Sequence, residues 1–163
     1  RLGWLVVPRA LCEEAARQKR LVDGFSPVLD QLTLAAFLRS GEYDRHVRRA
    51  RAAYRGRRDT LLQTLAQYLP ELEVTGIAAG VHLVLRLPAS IDDAAIAELA
   101  WQARIRVLPL SSFYVREAHA RGLVLGYGRL HGAAVTAAVR ALAEIIRPRL
   151  EGRRRARPPP ALP

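Results

Sequence analysis

The stretch VHLVLRL, at residues 81–87, alternates two kinds of side chain in strict order. In an extended chain His82, Val84 and Arg86 fall on one face, and the leucines between them fall on the other. This period of two is typical of a half-buried β-strand, with one face turned to a core. We therefore expect a sheet that is covered by other elements on one face.

The segments that follow and precede this strand complete an α+β pattern. Short apolar runs predict strands at residues 72–75, 105–110 and 123–127, and apolar residues spaced three or four apart predict helices at 92–103 and 133–150. Ser90 is the expected N-cap of the first of these helices. The order β-β-α-β-β-α predicts a short, mainly antiparallel sheet with helices packed on one face.

The N-terminal part is predicted to be mostly helical. Helices are expected at residues 9–22, at 27–39 behind a Ser26 N-cap, and at 43–69, where Pro70 ends the pattern. The third is long for a globular domain and typical of a spine between two lobes. Residues 2–7, LGWLVV, form a short apolar run that predicts a buried strand.

The chain is strongly basic. Its 163 residues include 26 basic and 15 acidic side chains, for a net charge of +11, and Lys19 is the only lysine. Such a balance permits binding to nucleic acid or to an anionic ligand, but arginine in place of lysine also follows from a GC-rich genome. Seven arginines cluster at positions 45, 48, 49, 51, 55, 57 and 58. No aromatic interleaving indicates a base-stacking platform, and no helix-turn-helix is visible, so a solvated face with some contacts to a partner lobe is favoured.

The sequence does not contain the motifs of several common classes of functional site. A lone cysteine, Cys12, excludes an internal disulfide and a cysteine-based metal cluster. The four histidines, at 46, 82, 119 and 131, lack metal-ligand spacing, so no metal is expected. No dinucleotide fingerprint, phosphate-binding loop or nucleophile elbow is present. No membrane span and no signal peptide are visible, so a cytoplasmic location is expected.

Four stretches carry a resemblance to a known family. They are RLGWLVVP (1–8), QLTLAAFLRSGEYDRHVRRARAAYRGRRDTLLQTL (31–65), AAGVHLVLRLP (78–88) and LVLGYGRL (123–130). Together they resemble the C-terminal part of the aminotransferase-like domain of fold-type I enzymes, which depend on pyridoxal 5′-phosphate (PLP). Within that class the chain most resembles the MocR group of GntR regulators, and residues 41–59 are the most specific part.

The resemblance implies a division of the chain. Residues 1–41 match the end of the large lobe, 42–70 the interdomain spine helix, and 71–150 the small C-terminal lobe. Residues 151–163, rich in arginine and proline, are expected to be a disordered tail. Because the surface that residues 2–40 pack against belongs to the large lobe, exposed apolar side chains are expected there.

The resemblance also places the cofactor chemistry. In the family the Schiff-base lysine belongs to a Ser-Lys pair just before the stretch that begins here at Arg1, so no catalytic residue is assigned. Lys19 lies in a predicted helix where the motif has no lysine, and arginine cannot form a Schiff base. Arg1 matches the arginine that contacts the PLP phosphate. This chain by itself is therefore expected not to transaminate.

At one position that concerns substrate binding, the sequence departs from the pattern of the family. Many aminotransferases bind the substrate carboxylate with an arginine in a stretch like LVLGY, and Val124 takes its place here. Arg129 and Arg86 are the remaining candidates for that role. Because valine cannot bind a carboxylate, the departure favours a regulator over a transaminase.

The resulting interpretation is a C-terminal fragment of a PLP-dependent, MocR-type transcriptional regulator. The resemblance implies PLP, a small amino-acid or amine effector, a homodimer, and DNA bound through an N-terminal winged-helix domain that this chain lacks. A fragment of a class I/II aminotransferase, which exchanges an amino group between an amino acid and a 2-oxo acid, is the alternative. A standalone basic nucleic-acid-binding domain is a third possibility, for which steeply salt-dependent DNA binding is expected.

Overall fold

The computed structural model describes residues 2–24, 26–76, 80–129 and 132–156. The chain divides into two units, Arg1–Ala50 and Arg51–Pro163. The boundary falls within one long helix, α3 (Glu42–Tyr68).

The first unit is helical. A short 3-10 helix, Arg9–Leu11, leads into α1 (Cys12–Asp23), and α2 (Val28–Arg39) precedes α3. The helices predicted at 9–22 and 27–39 are thus confirmed to within a residue or two. The cap of α2 differs, because Pro27 itself occupies the N-cap position and no side chain caps the helix. The expected Ser26 N-cap is therefore wrong.

The strand predicted at residues 2–7 is absent, since residues 2–8 have no regular secondary structure. No other strand lies in the described part of this unit, at residues 2–24 and 26–50. A single extended segment cannot form a hydrogen-bonded ladder without a neighbouring strand. The apolar pattern of residues 2–7 is real, but the described part of the first unit contains no strand that could pair with it.

Large apolar side chains of the first unit are exposed, as expected for residues 2–40. Trp4 is 84% exposed and Val6 is 88% exposed. No residue of α1 or α2 is buried. A helix whose apolar face stays in water gains little from packing. This unit therefore carries apolar surface without a core of its own.

The second unit is built on a four-stranded antiparallel sheet. Its strands are β1 (Val74–Thr75), β2 (His82–Leu87), β3 (Leu108–Pro109) and β4 (Arg121–Gly126). They lie in the order β1-β2-β4-β3. In the central pair Val84 is opposite Val124 and Leu85 is opposite Leu123. The predicted order of strands and helices along the chain and the mainly antiparallel sheet are confirmed.

The strand predicted at residues 105–110 is much shorter than expected. Only Leu108 and Pro109 pair with β4, and a 3-10 helix, Leu110–Phe113, follows at once. Pro109 has no backbone N–H, so it cannot donate to a ladder. The strand predicted at 123–127 instead begins two residues earlier, at Arg121.

Two further helices close the core on one face of the sheet. They are α4 (Asp93–Gln102) and α5 (Gly132–Ala156). The three leucines of β2 are buried, and they alternate with the more open His82, Val84 and Arg86, as the sequence pattern predicts. The buried cluster combines the end of α3 with both central strands and both helices: Leu61, Leu65, Leu69, Leu83, Leu85, Ile96, Leu123, Leu125, Val135, Val139, Leu142 and Ile146.

Two predicted helix ends are corrected. The N-cap of α4 is Asp92, whose carboxylate accepts a hydrogen bond from the Ala94 backbone N–H at 3.0 Å, so Ser90 is not the cap. At the other end of the chain, α5 runs through Ala156, so the tail expected from residue 151 is helical up to 156. No proline lies between Pro148 and residue 158, so nothing in 151–156 removes a backbone donor. Residues 157–163 lie outside the described residues.

Asp93, the first residue of α4, is the one acidic side chain that is fully buried in this unit's described core. Its carboxylate accepts hydrogen bonds from Ser111 Oγ at 2.7 Å, Ser111 N at 2.9 Å and Gly122 N at 3.1 Å. An Arg121 guanidinium nitrogen lies 3.1 Å from the same carboxylate. Burial raises the pKa of Asp93, but the hydrogen bonds from Ser111, Gly122 and Arg121 outweigh it, so the pKa lies below its ordinary value.

We predict that Asp93→Asn lowers the free energy of unfolding by about 3 kcal/mol at neutral pH, because an amide N–H₂ then faces backbone donors. Asp92→Asn is the matched control, since asparagine caps a helix as well as aspartate does, and it should change stability by less than about 0.5 kcal/mol. Urea unfolding followed by circular dichroism measures both variants. Equal losses in the two variants would contradict the assignment.

The same carboxylate makes stability depend on pH. Because the folded pKa of Asp93 lies below the unfolded value of about 4, its contribution is fully present above that pH. It is lost as the pH falls through the folded pKa. Between pH 5 and pH 2 the unfolding free energy should therefore fall more steeply for the wild-type chain than for Asp93→Asn.

Gly122 gives a second prediction. A Cβ atom at this position would lie 2.8 Å from the Leu85 carbonyl oxygen, on the neighbouring strand. We expect Gly122→Ala to destabilise the second unit by about 1–3 kcal/mol, because the central strands must separate. At Gly56, inside α3, nothing lies within 4 Å of the added atom, and Gly56→Ala should stabilise by about 0.5–1 kcal/mol. Thermal unfolding of both variants tests the sign of each change.

Candidate functional site

The face of the sheet opposite the core is the first candidate surface. His82 is exposed on this face, and Val84, Arg86 and Val124 are half-buried. The backbone N–H of Arg86 donates to the Glu73 carbonyl at 2.8 Å. This hydrogen bond fixes the backbone position from which the Arg86 side chain extends. Its guanidinium forms no hydrogen bond or ion pair with any residue that the structure describes. One arginine therefore stands on this face with its donors available.

Val124 lies at the centre of that face. It is opposite Val84 on β2 and opposite Leu108 on β3. Arg86 is opposite Gly122, so Arg86 and Val124 are diagonal neighbours, a relation that brings Cβ atoms to about 7 Å. Where the resemblance predicts an arginine, the structure has a row of apolar side chains with Arg86 beside it.

Arg129 lies elsewhere. It is exposed in the turn beyond the end of β4 and is not one of the paired strand residues. The structure therefore brings Arg86 next to Val124 but does not bring Arg129 onto the same strand face. The role of either arginine toward a carboxylate stays a prediction.

The described residues do not make a complete PLP site. Arg1, the expected phosphate ligand, lies outside the described residues. Lys19 is exposed on α1, and its ammonium is paired with the Asp23 carboxylate. A covalent PLP site needs a lysine amine held against the cofactor, and the described part of the chain holds none in that way.

A second candidate surface is an open cleft in the second unit. It has a volume of about 670 Å³ and is lined by Arg51, Arg55 and Arg58 from α3, with Tyr54 between them. Gly80, Val81 and Tyr127 form the facing wall, and Asp59 is the one acidic lining residue. Arg58 lies 3.6 Å from Asp59, from Nη1 to Oδ1. We call this feature the α3 cleft.

The α3 cleft is not evident when the seven arginines are treated as one solvated group. The spacing of residues 51, 55 and 58 is i, i+4, i+7, which places them on one side of a helix. That signal was present in the sequence. The facing wall was not predictable, because Tyr127 follows β4 and lies more than 60 positions away along the chain.

Two further observations concern metal sites and membrane-spanning helices. In the ranges that the structure describes, no group of three or more His, Cys, Asp or Glu side chains is arranged to hold a metal ion. Within the same ranges, none of the helices has the length and apolar character needed to cross a membrane.

Comparison with known proteins identifies regulators that carry a similar segment. The uncharacterized HTH-type transcriptional regulator YhdI of Bacillus subtilis is 31% identical over 133 residues, which is 80% of this chain and 28% of YhdI. The probable rhizopine catabolism regulatory protein MocR of Rhizobium meliloti is 27% identical over 128 residues, 78% of this chain and 26% of MocR. This chain thus spans little more than a quarter of the length of these relatives.

Solved structures show the same fold. The α-aminoadipate aminotransferase LysN of Thermus thermophilus, complexed with N-(5′-phosphopyridoxyl)-L-leucine, superposes with a TM-score of 0.76 at 22% identity. The superposition covers 90% of this chain and 38% of LysN. The predicted fold, the C-terminal part of a fold-type I PLP-dependent enzyme, is therefore confirmed.

The family profile described as aminotransferase class I and II matches residues 1–146, nearly the whole chain. The phosphopyridoxyl group in the LysN complex agrees with PLP as the cofactor of that family. The MocR-type resemblance predicted from the sequence is likewise confirmed by the regulators that match. This chain belongs to the aminotransferase class I and II family, as a segment similar to the C-terminal part of MocR-type regulators.

Proposed function

We propose that this chain is the C-terminal part of a PLP-dependent transcriptional regulator of the MocR type. In the parent protein, the aminotransferase-like domain senses an amino-acid or amine effector through PLP. A separate N-terminal domain binds DNA. The similarity to YhdI over 80% of this chain supports the proposal, since YhdI is described as an HTH-type transcriptional regulator.

Val124 is the structural observation that carries the proposal. It sits between Val84 and Leu108 on the open face of the sheet, where an aminotransferase is expected to hold a carboxylate-binding arginine. An apolar row cannot form the paired, charge-assisted hydrogen bonds that a carboxylate requires. This face therefore fits two kinds of effector better than it fits an α-amino acid substrate. One kind has no carboxylate beside Val124, and the other has a carboxylate that Arg86 binds.

The parent protein has two lobes, and this chain contributes to both. Residues 1–41 form the end of the large lobe, and residues 42–70 form the spine helix. Residues 71–150 form the small lobe, which closes over the effector. Arg1 contacts the PLP phosphate. The parent is a homodimer in the cytoplasm. The apolar side chains exposed in the first unit, Trp4 and Val6 among them, support a large-lobe surface that packs against them.

A class I/II aminotransferase is the second candidate function. The fold shared with LysN, an α-aminoadipate aminotransferase, favours it. Under this alternative Arg86 takes over the binding of the substrate carboxylate from its diagonal position beside Val124.

The genomic sequence upstream of codon 1 separates these two functions. We expect an in-frame Ser-Lys pair, a large lobe and a winged-helix domain. A large lobe without a DNA-binding domain would instead identify the parent as an aminotransferase. A stop codon and ribosome-binding site directly upstream would overturn both.

A chemical test applies to this chain alone. We predict that PLP followed by borohydride labels Lys19 and the terminal amine no faster in the folded chain than in the chain unfolded in urea, because Lys19 is exposed and paired with Asp23. Mass spectrometry of the digested protein measures the labelling, and Lys19→Arg is the control that removes one site. Faster, stoichiometric labelling of the folded chain would mean that it holds a PLP site by itself.

A further inference from the structure

The α3 cleft concentrates positive charge without matching negative charge. Three arginines and one aspartate line it, which leaves a net charge of +2 from three positive groups and one negative group. Arg51 and Arg55 form no ion pair with any residue that the structure describes. Like charges at i, i+4 repel each other on a helix. An anion in the cleft would relieve that repulsion.

Arg58 is the arginine most constrained by its surroundings. Its side chain is only 26% exposed, and its Nε is buried with no hydrogen-bond partner among the described residues. The contact of its Nη1 with Asp59, at 3.6 Å, is longer than a hydrogen bond. The guanidinium is therefore held in place while part of its donor capacity remains unused.

The facing wall of the cleft is built from hydrogen-bonded backbone. The buried Tyr127 donates its hydroxyl to the Gly80 carbonyl at 2.8 Å, and its backbone N–H donates to the Val81 carbonyl at 2.9 Å. These two bonds tie the start of β2 to the end of β4. A wall fixed in this way costs little conformational entropy when a ligand binds.

Tyr54 makes the cleft partly apolar and partly basic. The guanidinium carbon of Arg57 lies 5.6 Å from the centre of the Tyr54 ring, and Arg57 also donates to the Gly128 carbonyl. One face of the ring is thus engaged by a cation. Together with Val81, the ring offers a limited apolar surface beside the three arginines.

We propose that the α3 cleft binds a small organic oxyanion, with Arg51, Arg55 and Arg58 as its ligands. The guanidinium group pairs with both oxygens of a carboxylate or phosphate in parallel. A volume of about 670 Å³ suits a ligand of metabolite size. Asp59 interrupts the basic surface, which favours a compact anion over a long nucleic-acid backbone. The proposal does not rest on the regulator function proposed above.

Calorimetric titration of the 163-residue chain with inorganic phosphate and with succinate, at constant ionic strength, tests this site. Arg55→Gln and Arg58→Gln should each weaken binding at least tenfold. Arg140→Gln removes one exposed arginine of α5 that does not line the cleft, and it should change affinity by less than twofold. Arg55 is itself exposed, so Arg55→Gln keeps the test valid if Arg58→Gln perturbs folding by circular dichroism.

The two probes distinguish the sources of the anion. Tighter binding of phosphate indicates a phosphate ester, and tighter binding of succinate indicates a dicarboxylate. Either result supports the site. Heat no greater than that of sodium chloride, or equal weakening by Arg140→Gln, would overturn it. A DNA duplex that binds through the same arginines, and that phosphate does not displace, would also overturn it.

Discussion

The carboxylate of Asp93 holds together the segments on which the second unit depends. It accepts hydrogen bonds from the backbone and side chain of Ser111, from the backbone of Gly122 and from Arg121. These partners belong to the 3-10 helix after β3 and to the beginning of β4. One buried charge thereby sets the position of α4 against the edge of the sheet. A buried carboxylate is tolerated only when its hydrogen bonds are satisfied, and here four donors surround it.

The register of the central strands follows from the same region. Gly122 donates to Asp93, and the absence of a Cβ atom lets the Leu85 carbonyl approach it closely. With this pair in place, Leu85 lies opposite Leu123 and Val84 lies opposite Val124. A shift of one residue would move the leucines out of the core, so the buried face and the Asp93 contacts require the same register. The apolar row around Val124 is therefore a consequence of the pairing that builds the core.

The two units differ in what stabilises them. The second unit encloses a continuous core, whereas α1 and α2 of the first bury no residue. Such a helix depends on a surface to pack against, because short helices are marginal in water. The strand expected at residues 2–7 depends on partners in the same way, and it is absent where no partner strand is described. This contrast agrees with membership of the aminotransferase class I and II family and with coverage of about a quarter of the related regulators.

Local pattern by itself determined much of this protein. The alternation at 81–87 predicted the half-buried strand, the spacing of apolar residues predicted α3 to within a residue at each end, and motif order predicted the family. These signals succeed because helix and strand periods are properties of neighbouring residues. Only the tertiary structure brought the Asp93 carboxylate to Ser111 and Gly122 and set Tyr127 across the cleft from Arg58. Both arrangements join groups that are 18 or more positions apart in the chain, and no local period records such an approach.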